Sequence, residues 1–192
     1  MTRTARGRLV AFLILAVCAA PVVLGTLAFY YFPPAGRTNY GRLISPRPFA
    51  LPARLEDGEL LAPAALADKW WLVTLEEADC AETCSRKLLY TRQLRLAQGK
   101  DQDRVGRLLV LKSPGRVPLP LAEDLRTAVL SPGRVPALEG PLFDGENPTR
   151  HIYVVDPFGN LMMSFPSDGD PQRMLRDVER LLRVNSWERI SR

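Results

Sequence analysis

Lys69-Trp70-Trp71-Leu72-Val73-Thr74-Leu75-Glu76-Glu77-Ala78-Asp79-Cys80-Ala81-Glu82-Thr83-Cys84 is the stretch on which the fold turns. Its first half is a run of aromatic, branched and aliphatic residues, which reads as a strand buried on both faces. Its second half places two cysteines four residues apart. Residues 81–98 then follow a helical pattern, with Cys84, Leu88, Thr91 and Arg95 on one face and Gly99 as the C-terminal stop. A buried strand running straight into a helix that opens on two cysteines is the centre of the expected fold.

Downstream, Arg107-Leu108-Leu109-Val110-Leu111 reads as a second strand. Pro120–Leu130, with Glu123 and Asp124 near its start, suggests a short helix. His151-Ile152-Tyr153-Val154-Val155 is a third strand, Asp156-Pro157-Phe158-Gly159 a turn, and residues 160–165 the returning strand. Asp168 or Asp170 is placed to cap a last helix, whose stripe is Met174, Leu175, Val178, Leu181 and Leu182. Ser-Pro-Gly-Arg-Val-Pro occurs at both 113–118 and 131–136. Two copies make turns, not a solenoid. Strands alternating with helices predict a small α/β domain over residues 67–184, followed by a tail at 185–192.

Upstream, residues 33–66 hold six prolines and read as a semi-stiff tether, with Leu60-Leu61 positioned to pack on the fold. Residues 9–32 carry no charge; as a helix they would be about 36 Å long against a hydrocarbon core of about 30 Å. Phe29, Tyr30, Tyr31 and Phe32 cluster at the far end, like an interfacial belt. The expectation is an uncleaved single-pass anchor over 9–32, with residues 1–8 as a basic cytoplasmic segment. A cleaved signal peptide and a lipid-modified Cys18 are the competing readings; each leaves about a dozen apolar residues after the cut.

The formal net charge of +5 belongs almost entirely to this N-terminal quarter. Arg3, Arg6, Arg8, Arg37, Arg42 and Arg47 are its only charged residues, which leaves 20 of the 26 Lys+Arg against all 21 Asp+Glu. A nearly neutral domain argues against a nucleic-acid partner. One histidine excludes a multi-histidine metal cage, and three cysteines exclude a four-cysteine zinc site or a disulfide-dense scaffold. There is no phosphate-cradling glycine loop and no G-x-S-x-G elbow.

Cys80 and Cys84 are therefore the candidate catalytic residues. One helical turn apart, they can join as a disulfide, act as a dithiol, or clasp a soft ion such as Cu(I). The helix start favours a thiolate, whereas Glu76, Glu77, Asp79 and Glu82 oppose one, with Arg86 and Lys87 positioned to offset them. Two inert buried cysteines, or a plain staple, remain the alternatives at this point.

The single anchor, the Pro-rich tether, strand–Cys80-x-x-x-Cys84–helix and Tyr153-Val154-Val155-Asp156-Pro157-x-Gly159 together resemble the thioredoxin-like SCO/SenC group. These are membrane-anchored cytochrome c oxidase assembly proteins. A divergent bacterial subgroup is more similar still, through the stretch Arg92-Gln93-Leu94-Arg95-Leu96-Ala97-x-Gly99-Lys100-Asp101-x-Asp103-Arg104-Val105. The resemblance implies a thioredoxin-like fold and a single pass through the bacterial inner membrane, with the C-terminal domain in the periplasm. It implies a respiratory oxidase subunit or assembly factor as partner. At Cys80 and Cys84 it implies thiol–disulfide exchange or Cu(I) handling, with His151 as the one histidine available as a third metal ligand. A redox-inactive docking module is the alternative. The sequence departs from the copper-binding members at one point: their ligand histidine lies eight residues before the hairpin aspartate, where this chain has Pro148. A proline before a late strand is also where thioredoxin-like folds carry their cis-proline.

Overall fold

The computed structural model describes residues 3–31, 39–117, 121–134 and 141–188. The chain divides into two units, Met1–Thr38 and Asn39–Arg192. The first holds one helix, α1 (Arg3–Tyr31), which is continuous through Pro21. Its segment Val10–Ala28, of mean hydropathy 2.6, is long and apolar enough to cross a membrane. Cys18 is a free, exposed thiol on this helix.

The second unit contains β1 (Arg42–Pro48), β2 (Ala53–Leu55), β3 (Trp70–Glu76), α2 (Glu82–Ala97), β4 (Val105–Leu111), β5 (Leu125–Leu130), β6 (His151–Val155), β7 (Asn160–Pro166) and α3 (Pro171–Glu188). The strands form one mixed sheet in the order β1-β7-β6-β3-β4-β5-β2. β3, β4 and β5 are parallel, and the remaining pairings are antiparallel. All seven residues of β3 are buried, because both faces of the sheet are covered. Trp70 and Leu72 pack with Ile152, Val154, Leu94 of α2 and Met174, Val178 and Leu182 of α3. Trp71, Val73 and Leu75 alternate to the opposite face, where they meet Phe49, Leu61, Leu66, Phe143 and Tyr153. The Trp71 indole donates to the Leu66 carbonyl at 2.9 Å, which satisfies its buried N–H.

The helical stripe forms as its spacing predicts: Cys84, Leu88, Thr91 and Leu94 are buried on α2. Arg95 continues it half-buried, its Nε donating to the Val105 carbonyl at 3.0 Å. Asp170 caps α3 by accepting from the Gln172 amide at 2.8 Å.

Three expectations change. Most of the stretch read as a tether over 33–66 is part of the domain; its residues 33–38 lie outside the described residues. β1 and β2 close the two edges of the sheet, and Phe49, Leu61 and Leu66 are at most 1% exposed. Prolines suit edge strands because such strands can spare a backbone donor, while each buried apolar side chain contributes about 1.5–3 kcal/mol. The helix expected over Pro120–Leu130 is instead a turn at 121–124 followed by β5, because Leu125–Val129 pairs in parallel with Arg107–Leu111. The tail begins later than 185, since α3 continues to Glu188.

Candidate functional site

Cys80 and Cys84 form a disulfide, with Cα atoms 5.1 Å apart. Cys80 lies just before α2, and Cys84 is the third residue of its first turn. The two sulfurs differ in access. Cys84 is 1% exposed and packs with Leu88, Leu109 and Leu111, whereas Cys80 is half-buried at the edge of that cluster. The Ser85 hydroxyl is 3.9 Å from Cys80 Sγ and is the only possible donor of the two, because a disulfide sulfur carries no hydrogen. The residue capping α2 is Ala81, which offers no side-chain acceptor to the first-turn amides. The positive end of the helix is thus left facing the cysteines. The segment carrying them is held by a close approach: a Cβ on Gly115 would overlap the Ala78 carbonyl, two residues before Cys80.

Behind the disulfide lies a feature invisible to spacing rules. Lys87, one turn beyond Cys84, is fully buried and ion-paired with Glu76 at the end of β3. Its ammonium also donates to the carbonyls of Leu75 and Thr149. Burial pushes the Glu76 carboxyl above its ordinary value and the Lys87 ammonium below its own; the pair only partly offsets this. One lysine therefore ties the cysteine helix to the central strand and to the 148–150 turn. Among the four carboxylates expected to crowd the cysteines, Glu76 is neutralised by Lys87 and Glu77 by Lys112 at 2.6 Å. Asp79 and Glu82 make no ion pair among the described residues and stay exposed.

His151 does not join the sulfurs. It opens β6 on the face it shares with Tyr153, their rings 5.8 Å apart, and its Nε2 lies 3.5 Å from Glu146. Tyr153 packs on Phe143 on one side of the sheet, while Cys84 packs on Leu109 and Leu111 on the other. Among the described residues no three His, Cys, Asp or Glu side chains are grouped to hold a metal ion. The expected ligand set of Cys80, Cys84 and His151 is therefore not assembled: an offset of three along a strand carries a side chain through the sheet. Anaerobic Cu(I) titration of the reduced full chain and of its His151→Ala variant should give superimposable curves. Weaker binding by the variant would place His151 among the ligands. Pro148 is buried and opens the 3-10 turn Pro148–Arg150, in which the Asn147 side chain accepts from the Thr149 amide.

The fold is shared with several solved structures. The apo Sco1 protein of Thermus thermophilus is 22% identical, with a TM-score of 0.53 over 77% of this chain and 99% of that one. A SCO1/SenC family lipoprotein from Bacillus anthracis is 15% identical, with a TM-score of 0.53 over 73% and 99%. Bradyrhizobium japonicum ScoI, solved with copper bound, is 19% identical, with a TM-score of 0.50 over 72% and 99%. No curated protein matches the chain in sequence. At sequence level, residues 70–185 match the family described as transmembrane-like, thioredoxin-like, C-terminal domain. That match spans the buried strand, the cysteine helix and the closing helix α3, and with the shared fold it makes this chain a member of that thioredoxin-like family.

Proposed function

We propose that this chain is a membrane-anchored thiol–disulfide exchange factor, working outside the bacterial inner membrane on a subunit or assembly factor of a respiratory cytochrome c oxidase. The observation that carries this reading is the unequal disulfide at the start of α2: one sulfur reachable, one sealed. A bridge spanning four positions restricts the unfolded chain little, about 2 kcal/mol by loop entropy, so the fold can lose and regain it. In the reduced form, the Cys80 thiolate attacks a disulfide of the partner, and the partner's first sulfur leaves with the electron pair and takes up a proton. The Cys84 thiolate, favoured by the helix start, then attacks Cys80 Sγ. The partner's second sulfur departs as a thiol, and the Cys80–Cys84 disulfide is left. A dithiol reductant must restore the cycle.

Bradyrhizobium japonicum ScoI was solved with copper bound, but among the described residues the side chains gathered here supply two sulfurs and no third ligand, so no step is routed through copper. The exposed Asp79 and Glu82 favour the alternative of a redox-inactive docking module, because they oppose a thiolate at Cys80. The test separates the two. Cys84→Ser in the native membrane should accumulate a mixed disulfide between Cys80 and an oxidase-related protein, seen as a reductant-sensitive shift on a gel. Absence of any adduct, together with normal oxidase assembly in a Cys80→Ser/Cys84→Ser strain, would leave only docking.

A further inference from the structure

Beside the first turn of α2 runs an open groove of about 650 Å³, bounded by Thr83 and Arg86 of the helix, Glu76 of β3, and Arg150, His151 and Asp168 of the neighbouring turns. We propose that this groove binds an extended segment of the exchange partner through a carboxylate near the partner's reactive cysteine, held by Arg86 and Arg150. The proposal rests on the exchange reading above for its biological partner, but not for its geometry.

Two observations carry it. Arg86 and Arg150 are both exposed, and neither makes an ion pair among the described residues. Arg92, Arg95, Arg104 and Arg126, elsewhere on the domain, are each matched to a carboxylate. Two guanidinium forks lining one groove suit a carboxylate, which takes two parallel N–H bonds from such a fork. The acidic groups on the same walls do not cancel them equally. Glu76 is already consumed by Lys87, which leaves Asp168 as the one unmatched acid of the lining.

The charges also set the spacing in the partner. Asp79 and Glu82 are exposed beside Cys80 and repel an acid placed at the attacked cysteine itself. Cys84 lies 5.1 Å from Cys80 by Cα, and Arg86 stands two residues further along α2, about 3 Å of helical rise. An extended chain advances about 3.3 Å per residue. The preferred carboxylate therefore lies two or three residues from the partner cysteine.

The test uses the oxidised full chain in neutral detergent micelles and three labelled peptides of one length. Each has serine in place of cysteine and, three residues away, Asp, Asn or Lys. By fluorescence anisotropy at low salt, the Asp peptide should bind roughly five- to tenfold more tightly than the Asn peptide, with the Lys peptide weakest. In Arg86→Gln/Arg150→Gln that preference should fall to within about twofold. Equal affinity for the Asp and Asn peptides, or a preference unchanged in the double variant, overturns the proposal. A second arm offers the reduced chain the matching cysteine-containing peptide disulfides. Selective binding with no disulfide reduction keeps the groove and removes the exchange reading. Reduction of all three at equal rates, with no selective binding, does the reverse.

Discussion

Lys87→Met is expected to destabilise the domain by about 3–5 kcal/mol, the range for removing one partner of a buried ion pair. That corresponds to a fall in Tm of roughly 10 °C or more for a domain of this size. The substitution leaves the Glu76 carboxylate without its counter-charge and removes the donor to the Leu75 and Thr149 carbonyls. Thermal unfolding of the full chain in micelles measures it. Glu76→Met in the same chain should restore most of the loss, because an apolar pair of similar volume carries no desolvation penalty. If the double variant is as unstable as the single one, the lost stability lies in packing and not in charge. The pH dependence has a fixed sign. Burial already raises the Glu76 pKa above 4.5, and losing Lys87 raises it further. The folded state of the variant then binds this proton more tightly than the unfolded chain does. The deficit of Lys87→Met should therefore shrink as the pH falls through that raised value and be largest near neutrality.

Arg107→Met should lower stability by about 2–4 kcal/mol, read from chemical denaturation. Arg107 is 1% exposed in the middle of β4. Its guanidinium donates to the carbonyls of Glu123 at 2.7 Å, Leu88 at 2.9 Å and Leu121 at 3.2 Å, and to the Thr91 hydroxyl at 3.3 Å. No carboxylate lies within ion-pairing distance among the described residues. Burial, with repulsion from Arg92 and Arg95, pushes its pKa down to about 10, so it stays charged at neutral pH. Removing it relieves one buried charge but orphans acceptors on α2 and on the 121–124 turn. Arg107→Lys should still lose roughly half as much, since a single ammonium cannot reach acceptors spread around a planar fork. The amides of 121–125 should exchange with solvent faster in both variants. Unchanged exchange there would mean that the turn is held by Leu121 and Leu125 packing on the cluster of Cys84, Leu88, Leu109 and Leu111, not by Arg107.

Both residues show where reading the chain in one dimension stops. Arg107 sits in a stretch correctly read as a strand but did not stand out, and Lys87 in a helix where its counter-charge to the nearby carboxylates is legible but its burial is not. A buried cation is recognised by its partners, and those partners lie 11 residues from Lys87 at Glu76 and up to 19 from Arg107 at Leu88. The same limit explains the segment at 125–130. Its local pattern tolerates a helix, and parallel pairing with β4 overrides that weak preference. It also explains the Pro-rich stretch, in which the packing of Leu60-Leu61 was legible for Leu61, but not that Phe49 and Leu66 would join it in covering a sheet face.

What the residues alone determined is everything set by local periodicity and strong chemistry. The uncharged span, the doubly buried strand at Trp70–Glu76, the stripe of α2, the Asp156-Pro157-Phe158-Gly159 turn and the one-turn spacing of Cys80 and Cys84 all follow from short-range sterics and apolar pattern. Tertiary structure alone decided that the two sulfurs meet, that one is sealed and the other reachable, and that His151 sits on the opposite side of the sheet. It also decided that Lys87 and Glu76 are buried together behind the disulfide. The reason is that burial and charge pairing are sums over neighbours distant in the chain, and only the completed sheet supplies those neighbours.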